Sequence, residues 1–232
     1  TDTFFLESQT LNSERQSIAF FDEINNRITG ISKEFTSVHN FEGRYNQYGY
    51  KAVSVADGMT QKSTHRNDAS NLYYESVKDG AEELAWYLED KMTSCPLQQV
   101  VLGGYSQGAQ VVGDALNILP AQFRSRIAYT ALFGDPKFNS RLPNSPTPKV
   151  GYWARGSANG LQTGSLGARN QYVPDGLANI GSWCDKQDPV CSARYALENP
   201  VGRFIADYFS NHVHSTVYQE KWIPKRSNIR NS

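Results

Sequence analysis

The sequence predicts an α/β fold: a single-domain three-layer sandwich with a mostly parallel central sheet and helices on both faces. Three observations carry this. Short apolar runs alternate with amphipathic stretches along the chain. One run, Val100-Val101-Leu102, is wholly apolar and closed by Gly103-Gly104, as in a central strand buried on both faces. The longest periodic stretch, residues 67–92, repeats apolar residues at spacings of three and four, which is helical. A length of 232 residues suits one domain with a sizeable core, and no linker divides residues 1–232.

Taken in order, Phe4-Phe5-Leu6 is a short apolar run that reads as a first strand. Asn12 or Ser13 caps a helix reaching about Ile28, with Ile18, Phe21, Ile24 and Ile28 on one face and Gly30 as its stop. Tyr50 to Val55 alternates and is β-branched, hence a strand. In the helix from Asn67 to Met92, Tyr73, Val77, Ala81, Leu84, Leu88 and Met92 form the apolar stripe, and acidic residues fill the other face. Gln107 to Leu119 reads as a helix stopped by Pro120. Ile127 to Phe133 is an apolar strand ended by Gly134-Asp135-Pro136, and Val150 to Ala154 is a weaker one. Residues 156–182, rich in Gly, Asn and Ser, read as a long loop that either covers the site as a lid or stands off as a surface excursion. Ser192 to Phe209 has helical periodicity, and the tail from Ile223 is polar and expected at the surface.

Charge narrows the function classes. The chain carries 23 Lys+Arg against 23 Asp+Glu. That balance argues against nucleic-acid binding through a basic face and against a polybasic membrane anchor. No apolar run approaches the ~18 residues of a membrane span. Thr1-Asp2-Thr3 has no charged segment leading into an apolar one, so no signal peptide is expected there.

Gly104-Tyr105-Ser106-Gln107-Gly108 fits G-x-S-x-G. Alone the string is short enough to arise by chance as a Gly-rich turn. Between an apolar strand and a helix it has the context of a nucleophile elbow, with the serine strained and its hydroxyl exposed above the sheet. Small residues two before and two after let strand and helix approach, and the serine caps the helix, whose N-terminus favours developing negative charge. A serine nucleophile needs a base and an orienting acid, which follow it here in the order acid, then histidine. His39 and His65 precede Ser106 and are expected at the surface; His212 and His214 follow it. Asp135, Asp175, Asp185, Asp188, Glu198 and Asp207 are the available acids, and spacing alone does not choose among them.

Three segments make the chain resemble the cutinase family of serine esterases, of the α/β-hydrolase superfamily. Cys95-Pro96 followed by Val100 to Ala109 is similar to that family's nucleophile segment. Phe133-Gly134-Asp135-Pro136 is similar to the end of its next strand. Cys184-Asp185-Lys186-Gln187-Asp188-Pro189-Val190-Cys191 is similar to its acid loop, where a disulfide brackets the catalytic aspartate. The resemblance implies Ser106 as nucleophile, Asp188 as acid and a Cys184–Cys191 bridge. It favours His214 over His212 as base, because the family's histidine is followed shortly by a tyrosine, here Tyr218.

The resemblance also implies an oxyanion hole from the Gln107 N–H and a donor after the first strand. Ser8 stands at the matching position, but the family's Arg-Gly pair before it is replaced by Leu6-Glu7; otherwise Ser8 simply starts a polar turn. A His212-x-His214 metal site, a Ca²⁺ site from Asp185 and Asp188, and a zinc site on the cysteines all lack further ligands, so no metal and no cofactor is expected. A bridge implies an oxidising compartment, hence secretion with the signal removed. Cys95 is left over: its family partner precedes the first strand, so either the amino terminus was trimmed past that partner or Cys95 is a free, buried thiol.

The expected chemistry is acyl transfer on cutin, polyester or short-to-medium acyl esters. A cell-envelope lipid esterase or phospholipase and an acetylxylan-type esterase are the alternatives on this fold, with a non-catalytic binding protein behind them. Trp153, Tyr172 and Trp183 are candidate rim residues, and a monomer is expected. The base must be neutral to work, so activity should rise through about pH 6–7 and level off above.

Overall fold

The computed structural model of the chain describes residues 2–6, 37–40, 50, 52–53, 55, 72–139, 163–169, 180–185, 188–192, 214 and 218. Its sheet contains β1 (Asp2–Leu6), β2 (Ser37–Asn40), β3 (Val100–Tyr105), β4 (Ile127–Phe133) and β5 (Ile180–Trp183). The spatial order is β2-β1-β3-β4-β5 and every pairing is parallel. Neighbours β1 and β3 lead to opposite sides of the sheet, which opens a crevice beyond their carboxyl ends, the usual ligand position in such sheets. Leu6 pairs with Gly104 there.

Helix α1 (Leu72–Ser94) buries the predicted stripe of Tyr73, Val77, Ala81, Leu84, Leu88 and Met92. Its last turn is closed by Arg126, whose guanidinium donates to the carbonyls of Met92, Cys95 and Gln98. Helix α2 (Gln107–Ile118) packs beside α1, with Val111, Val112, Ala115 and Leu116 buried against it and the sheet. A buried bond from the Tyr73 hydroxyl to Gln110 Oε1 (2.9 Å) ties the two helices. Leu119 is already extended (φ −63, ψ 129) because it precedes Pro120. A one-turn helix, α3 (Ala121–Arg124), follows. Truncating a fully buried residue such as Leu84 to Ala in this core would cost about 2–5 kcal/mol.

Several expectations are corrected. Tyr50 to Val55 is not a strand: Tyr50 makes an isolated bridge, Ala52 and Val53 are irregular and Val55 is helical. The alternation reflects packing on a helix rather than sheet pairing, since the Tyr50 ring fills the space where a Cβ on Gly80 would come within 2.8 Å. The long loop does not reach 182, because β5 starts at Ile180 and pairs with Thr130 to Phe133. Residues 163–169 are fastened rather than free: Gly164, Leu166 and Arg169 donate backbone hydrogen bonds to Phe138, Pro136 and Lys137, and Ser165 to Val190. Cys95 is unpaired but exposed, not buried. The readings for residues 12–28, 150–154, 193–209 and the tail from 223 lie outside the described residues.

Candidate active site

Strand β3 delivers Ser106 to the sheet's carboxyl edge. At φ 57 and ψ −125, Ser106 is the sole positive-φ residue other than glycine among the described residues. Such strain persists only where the surroundings enforce it. Here the Ser106 N–H is tied to the Phe133 carbonyl of β4 (2.9 Å), while its own carbonyl accepts from the Ala109 N–H (3.0 Å). Gly104 permits the turn: a Cβ there would stand 2.6 Å from the Gly108 carbonyl oxygen and 2.7 Å from the Ala109 Cα.

Two details differ from the sequence reading. Ser106 occupies the N-cap position of α2 without a side-chain capping bond. Its hydroxyl is also buried rather than exposed. The Ser106 hydroxyl meets His214 Nε2 at 2.8 Å instead of capping the helix.

His214 Nδ1 lies 2.8 Å from Asp188 Oδ2, and both side chains are buried. Asp188 stands in the loop closed by the Cys184–Cys191 disulfide, whose Cα atoms are 5.7 Å apart. The loop folds back on itself: the Asp188 N–H donates to the Asp185 carbonyl (3.0 Å) and the Ser192 N–H to the Asp188 carbonyl (3.0 Å). Oδ1 of Asp188 accepts the Val190 N–H at 2.8 Å, which orients Oδ2 toward the imidazole.

The predicted residues therefore separate. Ser106, His214 and Asp188 are brought together in one hydrogen-bonded row. Asp135 is buried in an ion pair with Arg169 (3.2 Å), and Asp185 makes no contact with the imidazole among the described hydrogen bonds. His39 lies in β2, two strands from β3. Ser8, His65, His212, Asp175, Glu198, Asp207, Trp153 and Tyr172 lie outside the described residues. Trp183 is half-buried and stacks on Phe133, with centroids 4.9 Å apart.

Gln107, directly after Ser106, is fully buried at the head of α2. Its side-chain Oε1 accepts the Val53 N–H at 2.9 Å and faces the Ser76 hydroxyl at 3.5 Å. Those contacts fix the residue whose N–H is one of the unpaired amides of a helix start. The first of them anchors the backbone at Val53, in the segment the sequence offered as a strand.

Sequence reasoning missed Arg169, Tyr105 and Tyr218. Arg169 is buried with its guanidinium between Asp114 of α2 and Asp135 at the end of β4. Gly113 makes room for it, since a Cβ there would come within 2.6 Å of the guanidinium carbon. No local signal marks this cluster, whose members lie 34 and 55 residues apart. Tyr105 and Tyr218 flank the imidazole, and only the spacing from His214 to Tyr218 hinted at either.

A parallel sheet with a strained serine at the carboxyl end of β3, followed by an acid and then a histidine in chain order, is an α/β-hydrolase fold. The family model for cutinase matches residues 35–219, and the chain belongs to the cutinase family. It is 37% identical over 76 residues to the carboxylesterase Culp1 of Mycobacterium tuberculosis, covering 32% of this chain and 35% of that one. It is 34% identical over 87 residues to a cutinase of Monilinia fructicola, covering 38% and 43%. The chain thus matches less than half the length of these curated relatives. The catalytic core domain of an acetyl xylan esterase from Trichoderma reesei superposes with a TM-score of 0.56 at 21% identity, over 94% of this chain and 96% of that one, which shows the fold. Among the described residues, no helix is long and apolar enough to cross a membrane.

Proposed function

We propose that the chain is a secreted carboxylic ester hydrolase that works through an acyl-enzyme on Ser106, with His214 as general base and Asp188 as orienting acid. The single observation that carries this reading is the unbroken row Ser106 Oγ, His214 Nε2, His214 Nδ1, Asp188 Oδ2, with both contacts at 2.8 Å. Family membership is its second support.

In this reading His214 Nε2 takes the Ser106 proton as Oγ bonds to the ester carbonyl carbon. The electron pair of the carbonyl moves to its oxygen, which the Gln107 N–H meets at the head of α2; Ser8 is the proposed second donor. Collapse expels the alcohol, which leaves with the proton from His214. Water then attacks the acyl-enzyme, its proton passing to His214, and Ser106 is restored. Asp188 holds the imidazole in the tautomer that leaves Nε2 free to accept, and stabilises the imidazolium between steps. The Cys184–Cys191 bridge supports export to an oxidising compartment.

The proposed substrates are cutin, polyester or other short-to-medium acyl esters. A chain-length series of p-nitrophenyl esters, run with and without a serine-directed phosphonate, tests activity and acyl preference together. Phosphonate-sensitive hydrolysis of the shorter esters is the expected result. Hydrolysis confined to long chains at an interface would move the reading to an envelope lipid esterase, and no hydrolysis at any length would overturn it.

A further inference from the structure

Asp188 accepts a second side-chain hydrogen bond besides that of His214. Its Oδ2, the oxygen facing His214 Nδ1, also accepts a hydrogen bond from the hydroxyl of Tyr218. Tyr218 is fully buried, and its oxygen in turn lies 3.4 Å from the Asp185 N–H and 3.2 Å from the Cys191 sulfur. The ring meets the imidazole edge-on, with centroids 6.2 Å apart. One phenol thus touches the acid, the bridge that frames the acid and the base.

We propose that Tyr218 is a positioning residue of the Asp188–His214 pair: its hydroxyl keeps the carboxylate oriented and draws off part of its negative charge, and so sets how strongly the imidazolium is held. The proposal rests on the triad reading above and extends it to a fourth side chain. A hydrogen bond donated to a charged carboxylate favours and disperses that charge. Burial pushes the Tyr218 phenol well above its ordinary value, and the neighbouring Asp188 charge pushes it the same way. The hydroxyl therefore stays protonated across the working pH range and always donates.

Among the described residues, the other groups around His214 leave this role to Tyr218. From β3, Tyr105 stacks its ring on the imidazole at 4.8 Å and 26°, but its hydroxyl donates to the His214 backbone carbonyl (2.9 Å), not to the acid. From the elbow, Ser106 meets Nε2. From the end of β4, Gly134 faces the imidazole with no side chain, and Asp135 beyond it is paired with Arg169. Within the acid loop, Asp185 is buried and offers its N–H to Tyr218, and the bridged cysteines do not titrate.

The sign of the effect follows. Without the phenol, the Asp188 carboxylate keeps more charge for the imidazolium, which becomes harder to deprotonate. Tyr218→Phe should move the acid limb of kcat/KM up by about half a pH unit or more and lower its plateau roughly tenfold. Replacing Tyr218 with 3-fluorotyrosine, a stronger donor of nearly the same shape, should move the limb the opposite way. This second variant also keeps the test open if the Phe variant does not fold. The His214 Nδ1 proton, followed by ¹H NMR as a function of pH, reads the same midpoint with no substrate present.

Opposed shifts in the two variants, in rate profile and in NMR, support the proposal. An unmoved NMR midpoint in both folded variants overturns it, even if activity falls, because that is the mark of a merely structural side chain. A wild-type chain that hydrolyses no ester overturns the esterase reading instead, while the NMR midpoint still decides the role of Tyr218.

Discussion

Gly134 has φ +62 and faces the imidazole from the end of β4. A Cβ at this position would stand 2.7 Å from His214 Cε1, 3.1 Å from Nδ1 and 3.2 Å from Asp188 Oδ2. Ordinary contact begins near 3.4 Å, so Gly134→Ala requires the ring to retreat by about 0.7 Å or the strand end to give way. A retreat of that size opens both 2.8 Å hydrogen bonds at once. Misplacement near 1 Å costs on the order of 10²-fold in rate, so kcat/KM for a short p-nitrophenyl ester should fall roughly 100-fold. The left-handed backbone adds a cost of about 1–2 kcal/mol to an alanine. In a chain of this size that lowers Tm by about 2–8 °C. Gly167 supplies the control: it has φ +100, but a Cβ there meets nothing within 4 Å. Gly167→Ala should show a similar Tm loss with unchanged kcat/KM. If Gly134→Ala kept kcat/KM within threefold of wild type, the close fit of the imidazole against β4 would be refuted.

Three further outcomes are expected. Arg169→Met leaves the fully buried Asp135 carboxylate without its cation and should destabilise the fold by about 3–5 kcal/mol, read as a fall in the urea midpoint; the added change Asp135→Asn should recover part of it, and equal midpoints would refute a structural ion pair. Opening the Cys184–Cys191 bridge by Cys184→Ser/Cys191→Ser should cost about 2–3 kcal/mol from loop entropy and lower activity by loosening Asp188, and thiol titration of the native chain should find one reactive thiol, the exposed Cys95; three thiols in the unreduced denatured chain would contradict the pairing. Ester hydrolysis should fall on acidification, as the imidazole takes up the proton it must be free to accept, and a flat rate from about pH 5 to 9 would exclude a histidine base.

What was legible in the sequence was what repeats locally or is bracketed. The α1 stripe from Tyr73 to Met92 was readable because a helix face recurs every three to four residues and all six positions are buried. Strands β3 and β4 were readable as apolar runs because parallel strands inside a sheet are covered on both faces. Ser106 and Asp188 stood out through the glycines and cysteines around them. Strand β2, Ser-Val-His-Asn, and β5, Ile-Gly-Ser-Trp, were not readable, since four mixed residues have no period and their identity as strands comes from their neighbours. Arg169 inside the supposed loop was invisible for the same reason: Asp114 and Asp135, which hold it, are distant in sequence. The hydroxyl partners of Tyr105 and Tyr218 are likewise set by tertiary packing, so the spacing after His214 marked Tyr218 without saying what it does.

The central claim is that Ser106 is the nucleophile, and intact-mass measurement after treatment with a p-nitrophenyl phosphonate tests it most directly. One phosphonyl adduct per chain, mapped to Ser106, lost in Ser106→Ala and accompanied by complete loss of ester hydrolysis, is the predicted result. An unlabelled wild-type chain, a label on another residue, or near-wild-type hydrolysis by a folded Ser106→Ala variant would contradict it.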